Sequence, residues 1–140
     1  MFIDTDFLHK YMAVQLKSIL SLLLLASALS LTLGGYLLYI NSLVPEILVE
    51  TTFVAVVVLF FLSYFVALGN LLAISVSTIL GVVAPIMSAA TPQHISVLAQ
   101  IDAGGLISIL GLLQLFGFYI FPILFVVVRI VFRSRFSGWK

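Results

Sequence analysis

The stretch FFLSYFVALGNLLAISVSTIL, residues 60–80, decides how many times this chain folds back on itself. It lies inside an apolar run from Pro45 to Ala90 whose only charged residues, Glu46 and Glu50, stand at the start of the run. A helix needs about 20 residues to cross a hydrocarbon core of roughly 30 Å. The run is about twice that length, so it must turn back, and Gly69-Asn70 is the turn signal it contains, because both residue types tolerate positive φ. Placed there, the turn separates a second span at residues 46–68 from a third at 71–90.

Working outward, a first span fits residues 18–40, between Lys17 and Asn41-Ser42, and a fourth fits 106–128, between Asp102 and Arg129. Composition agrees. The 140 residues are 64% hydrophobic and 8% charged, whereas soluble domains carry about 25% charged residues. A soluble fold of this size has too little interior to hide so much apolar surface. The sequence predicts an all-α integral membrane protein, a single membrane domain over residues 1–140 with four transmembrane helices in a compact bundle and a basic C-terminal tail at 129–140.

Charge distribution orients the bundle. Lys10, Lys17, Arg129, Arg133, Arg135 and Lys140 are the six basic residues, and none lies between Ser18 and Val128. An even number of spans puts both termini on one side, and basic flanks favour the cytoplasmic side. Lys17 followed by ILSLLLL and Ala26-Ser27-Ala28 also has the order of a secretory signal with a cleavage site. The apolar run continues to Ile40, long enough to span, so an uncleaved helix is expected. Two short interfacial helices are expected as well. One lies at the N-terminus, where Asp4 or Asp6 can cap and Phe7, Tyr11 and Val14 share a face. The other lies in the loop between spans three and four, where Thr91 and Pro92 open a turn and Ile95, Leu98 and Ile101 form a stripe.

The third span segregates by size. Ala73, Ser77, Gly81, Pro85 and Ala89 recur every fourth position, with Thr78, Ala84 and Ser88 on the same face. Helices in lipid associate largely through close backbone approach, so this is a helix-packing face. Ala26, Ser30 and Gly34, the pairs Thr51-Ala55 and Ser63-Ala67, and Gly104, Ser108 and Gly111 form weaker small-residue rows. Pro85 and Pro122 each remove one intrahelical hydrogen bond.

Few groups suit chemistry. Gln114, near the middle of the fourth span, is expected to make an interhelical polar contact. Glu46, Glu50, His94 and Asp102 fall at the loop end opposite the termini, where convergence would offer metal ligands or a proton relay. Each carboxylate also suits a helix start, where the dipole is positive. Arg129, Arg133, Arg135 and Trp139 read as lipid-headgroup anchors. Cysteine is absent. Neither His9 nor His94 lies within a span, where a haem site places its axial ligands. No cofactor is expected beyond structural lipids, and no nucleic acid, because the basic residues are few and pressed against lipid.

Missing intramembrane glutamates set the chain apart from proton-coupled small multidrug transporters and rotary-ATPase ring subunits. The expected role is non-enzymatic: a small subunit of a larger membrane complex, such as a respiratory or other redox assembly, packing against other transmembrane subunits. One alternative is a homo-oligomeric channel, holin or small-solute transporter built from copies of the chain, lined by Ser75, Ser77, Thr78 and Gln114. Another is a self-assembling pilin or viral membrane protein.

Overall fold

The structure, a computed structural model, describes residues 4–136. Every regular element among them is helical. Asp4 caps α1 (Thr5–Ile40), its side chain accepting the Asp6 backbone N–H at 3.0 Å. The separate interfacial helix expected at the N-terminus is absent, because α1 is one rod of 36 residues, about 54 Å long at 1.5 Å per residue. No proline or glycine interrupts residues 5–33, and Leu, Lys, Met, Ala and Gln in the early turns all favour helix. Phe7, Tyr11 and Val14 therefore ride exposed on the first turns of α1, with the Phe7 and Tyr11 rings stacked 6.4 Å apart.

Pro45 precedes α2 (Glu46–Ala67). Gly69 makes the next turn at φ +78°, a conformation that favours glycine, with the flexible end of the Lys17 side chain lying over it. Asn70 then caps α3 (Leu71–Ala89), accepting the Ala73 N–H at 3.0 Å. The loop helix is present as α4 (Pro92–Leu98), although the Thr91 hydroxyl donates backward to the Met87 carbonyl at 2.8 Å instead of capping it.

The fourth span is one rod in three parts: α5 (Gly105–Gln114), a π-helical segment (Leu115–Ile120) and α6 (Phe121–Val131). A last turn, α7 (Arg133–Phe136), follows and packs on α1. Among the described residues, four helices are long and apolar enough to cross a membrane: α1, α2, α3 and the rod from Gly105 to Val131.

The spans form a ring in chain order. α1 packs along α2 on one side and against the fourth span on the other, and α3 packs on the fourth span. Contact between α2 and α3 is the sparsest of the four sides. The apolar core sits at the end that carries both termini, where Leu16, Leu20, Leu24, Val66, Ala73, Ile74, Phe125 and Phe136 form one cluster. Phe136 is the last described residue of the basic tail, and its burial ties the tail to the bundle at that point.

Candidate functional site

Proline creates the first feature. Pro122 has no N–H, and the Phe121 N–H is taken by the Phe116 carbonyl five residues back. The Gly117 carbonyl thereby loses both its α-helical partner, the N–H of residue 121, and its π-helical one, the N–H of residue 122. Ser27 of α1 supplies the replacement, donating its hydroxyl to Gly117 O at 2.6 Å. A β-carbon on Gly117 would meet Leu31 Cδ2 at 2.9 Å, so glycine is what lets α1 come close enough to make this bond. π-Helical insertions of this kind occur frequently at functional sites.

Around that junction lies a cavity of about 320 Å³, half-way along the spans and lined by all four. Its floor is buried: Leu24, Ser27 and Leu31 from α1, Gly117 and Pro122 from the fourth span. Its lining residues on α2 and α3 include Ala55, Val58 and Val83, which the bundle leaves exposed. The cavity thus opens sideways between α2 and α3, the loosest side of the ring. Phe118 and Phe121 contribute aromatic wall, and no lining residue is ionisable.

Ser77 lines the same cavity. It is 1% exposed, and its Oγ has no hydrogen-bond partner. Its neighbours Ser75 and Thr78 donate to the carbonyls of Leu71 and Ile74, four residues back, at 2.9 and 2.7 Å. Among the described residues, Ser77 Oγ and Arg129 Nη1 are the only buried side-chain polar atoms left unpaired.

The second feature is a polar knot near the loop end. Gln114 Nε2 donates to the backbone carbonyl of His94 at 3.0 Å and approaches Ser88 Oγ at 3.4 Å. Ser88 Oγ lies 3.0 Å from His94 Nδ1. A hydroxyl that accepts from Gln114 keeps its own proton for Nδ1, which suits a neutral imidazole protonated at Nε2. Burial holds the His94 pKa below its ordinary value, in the same direction. The imidazole also packs on Phe118, with ring centroids 5.2 Å apart, so the knot adjoins the cavity wall.

The remaining residues singled out in the sequence are distributed as follows. On α3, Ala73, Ser77 and Gly81 are buried, Pro85 is half-buried and Ala89 is exposed. Gly81 abuts the fourth span so closely that a β-carbon would meet Val126 Cγ2 at 2.8 Å and Pro122 O at 2.9 Å. Glu46, Glu50, His94 and Asp102 do not converge, and no group of three potential metal ligands exists among the described residues. The reason is steric: α1 stands between α2 and the fourth span, with Gly35 against Thr52 and Gly34 toward Leu113. Both glutamates and Asp102 stay exposed, while His94 joins the knot.

Arg129 departs from the expected headgroup anchor. Its guanidinium lies over the Phe136 ring, 4.6 Å from the centroid, with Nη1 buried. Arg135 Nη1 donates to His9 Nδ1 at 2.6 Å, tying the two termini together, and Arg133 is exposed. Trp139 lies outside the described residues. Sequence reasoning missed the Ser27–Gly117 bond and the Ser21–Ser63 pair, in which each hydroxyl donates to the other's carbonyl at 2.9 Å. The available signal was a serine inside an apolar run facing another small residue.

No family model, curated protein or solved structure matches this chain.

Proposed function

We propose that this chain is a non-catalytic subunit of a larger membrane assembly, contributing helix packing to other transmembrane subunits. One observation carries the reading. α2 is held by α1 on one side, and its outward face bears Glu46, Glu50, Phe53, Val57, Phe60 and Tyr64, spaced alternately four and three residues apart and all exposed. That is the spacing of a seam into which another helix inserts its side chains. The aromatic residues offer large contact area, and the two glutamates mark one end of the seam. Support also comes from the use made of polar groups. Ser21, Ser63, Ser27 and Gln114 are engaged in interhelical hydrogen bonds, which is packing chemistry. The basic residues at the terminal end support a cytoplasmic orientation of that end, by the positive-inside rule.

The test is gentle extraction from the native membrane through an affinity tag after Lys140, followed by mass and composition of the particle. Stoichiometric co-purification of other membrane subunits is expected. A double substitution, Phe60→Ala with Tyr64→Ala, should release those subunits and leave the four-span bundle folded. A homogeneous particle made of this chain alone would overturn the subunit reading in favour of a homo-oligomer.

A further inference from the structure

The cavity between the spans asks for a ligand of definite chemistry. At about 320 Å³ it falls at the lower end of the range of roughly 300–1,000 Å³ typical of small-molecule sites. Its lining is almost wholly apolar and holds no ionisable side chain, which selects a neutral molecule. The mouth faces lipid between α2 and α3, so the molecule must arrive dissolved in the bilayer. Ser77 adds what a plain acyl chain does not use, a buried hydroxyl without a partner half-way along the span. Neighbouring hydroxyls on α3 satisfy themselves on carbonyls of their own helix, and Ser77 does not. An unpaired buried O–H is costly, and an oxygen acceptor brought in by a ligand removes that cost. Phe118 and Phe121 supply aromatic wall, which favours a flat, conjugated ring.

We propose that this cavity binds a membrane-soluble carbonyl-bearing ring of the isoprenoid-quinone class, with the Ser77 hydroxyl donating to a ring carbonyl and the tail leaving between α2 and α3. The Ser27 hydroxyl is committed to Gly117 and shapes the floor without contributing its proton to the ligand. Gly81 serves the site indirectly, because its contact with Pro122 sets how far α3 stands from the fourth span. The site is independent of the outward seam on α2, whose residues face away from it.

The experiment uses native membranes carrying the tagged chain. They are photolabelled with an azido-1,4-benzoquinone bearing a ten-carbon tail, and the labelled peptides are mapped by mass spectrometry after purification. Saturable labelling of cavity-lining peptides is expected, displaced by the same quinone without the azide and not by decylbenzene, which has the tail and ring but no oxygen. Ser77→Ala should weaken binding about five- to tenfold, the loss of one hydrogen bond, with no loss of thermal stability. Ala84→Phe, which fills the α3 side of the mouth, should abolish labelling. If that variant fails to fold, the nearly isosteric Ser77→Ala still decides the matter. Labelling that never saturates, label confined to the outer faces, equal displacement by decylbenzene, or unaltered affinity in Ser77→Ala would each overturn the proposal. A labelled cavity in a chain that purifies alone leaves the quinone site standing and sinks the subunit reading, so the two fail separately.

Discussion

Ser77 and Ser88 stand three turns apart on the same helix, each 1% exposed, and their surroundings are opposite. Ser88 is held by His94 and Gln114 from two other elements. Ser77 meets no polar atom. Both belong to the small face of α3, so residue type and helical phase do not separate them. What separates them is the neighbour across the gap. At the loop end, α4 places an imidazole within reach of Ser88 and a backbone carbonyl within reach of Gln114. Half-way along the span, the facing residues of α2 are apolar and stand off across a cavity. The same side chain locks helices together in one place and leaves a vacant donor in the other.

The largest expected effect lies where α3 is clamped to the fourth span. Gly81→Leu drives a side chain into Pro122 O and Val126, and the rods must part. A loss of about 3 kcal/mol is expected in denaturant titration of the purified bundle, together with disruption of the adjoining cavity. Gln114→Leu acts only on the knot. It removes the donor to His94 O and the approach to Ser88, and about 1–2 kcal/mol should be lost, the upper range measured for interhelical hydrogen bonds in lipid. If Gly81→Leu proves as mild as Gln114→Leu, the close contact of α3 with Pro122 is not what holds that side of the ring.

Acid should sharpen the contrast. Burial lowers the pKa of folded His94 below its value in the unfolded chain, about 6.5. The unfolded chain therefore takes up the proton first as pH falls below about 6.5, and stability declines until pH passes the folded value. Above that window the contribution is fully present. Protonated Nδ1 also becomes a donor and can no longer accept from Ser88. The melting temperature should drop between pH 7.5 and 5 in the wild type and drop less in His94→Asn. Equal acid sensitivity of the two would show that the knot does not depend on neutral His94.

Much of this molecule is readable from its sequence, and the limits are physical. Span number and the Gly69-Asn70 turn follow from length, because a run twice the bilayer thickness has to reverse. The small face of α3 follows from period alone. Continuity of α1 was also open to reading, since residues 5–33 contain no helix breaker, but the amphipathic pattern at Phe7, Tyr11 and Val14 points equally to a helix lying flat. Convergence is different in kind. Whether Glu46 and Asp102 meet depends on α1 standing between their helices, and no local pattern encodes that order. The π-helical segment follows the same logic. Pro122 announces a lost hydrogen bond, yet only the position of Ser27 on another helix tells how the Gly117 carbonyl recovers a partner.

The smallest effect is the most informative. Ser77→Ala removes a buried hydroxyl that bonds to nothing in the protein and with it the cost of leaving that group unpaired, so stability should not fall. Ser88→Ala removes an oxygen that two neighbours address and should cost about 1 kcal/mol, with His94 less able to stay neutral. Ala is also a better helix former than Ser, which biases both variants the same way and cancels when they are compared. Matched denaturant titrations in the same lipid give that difference directly. A gap of about 1 kcal/mol or more means that Ser77 is spare in the empty protein, as a ligand-reading donor has to be. Equal losses would mean that Ser77 already has a structural duty, and the hydroxyl would then no longer be on offer to anything entering between α2 and α3.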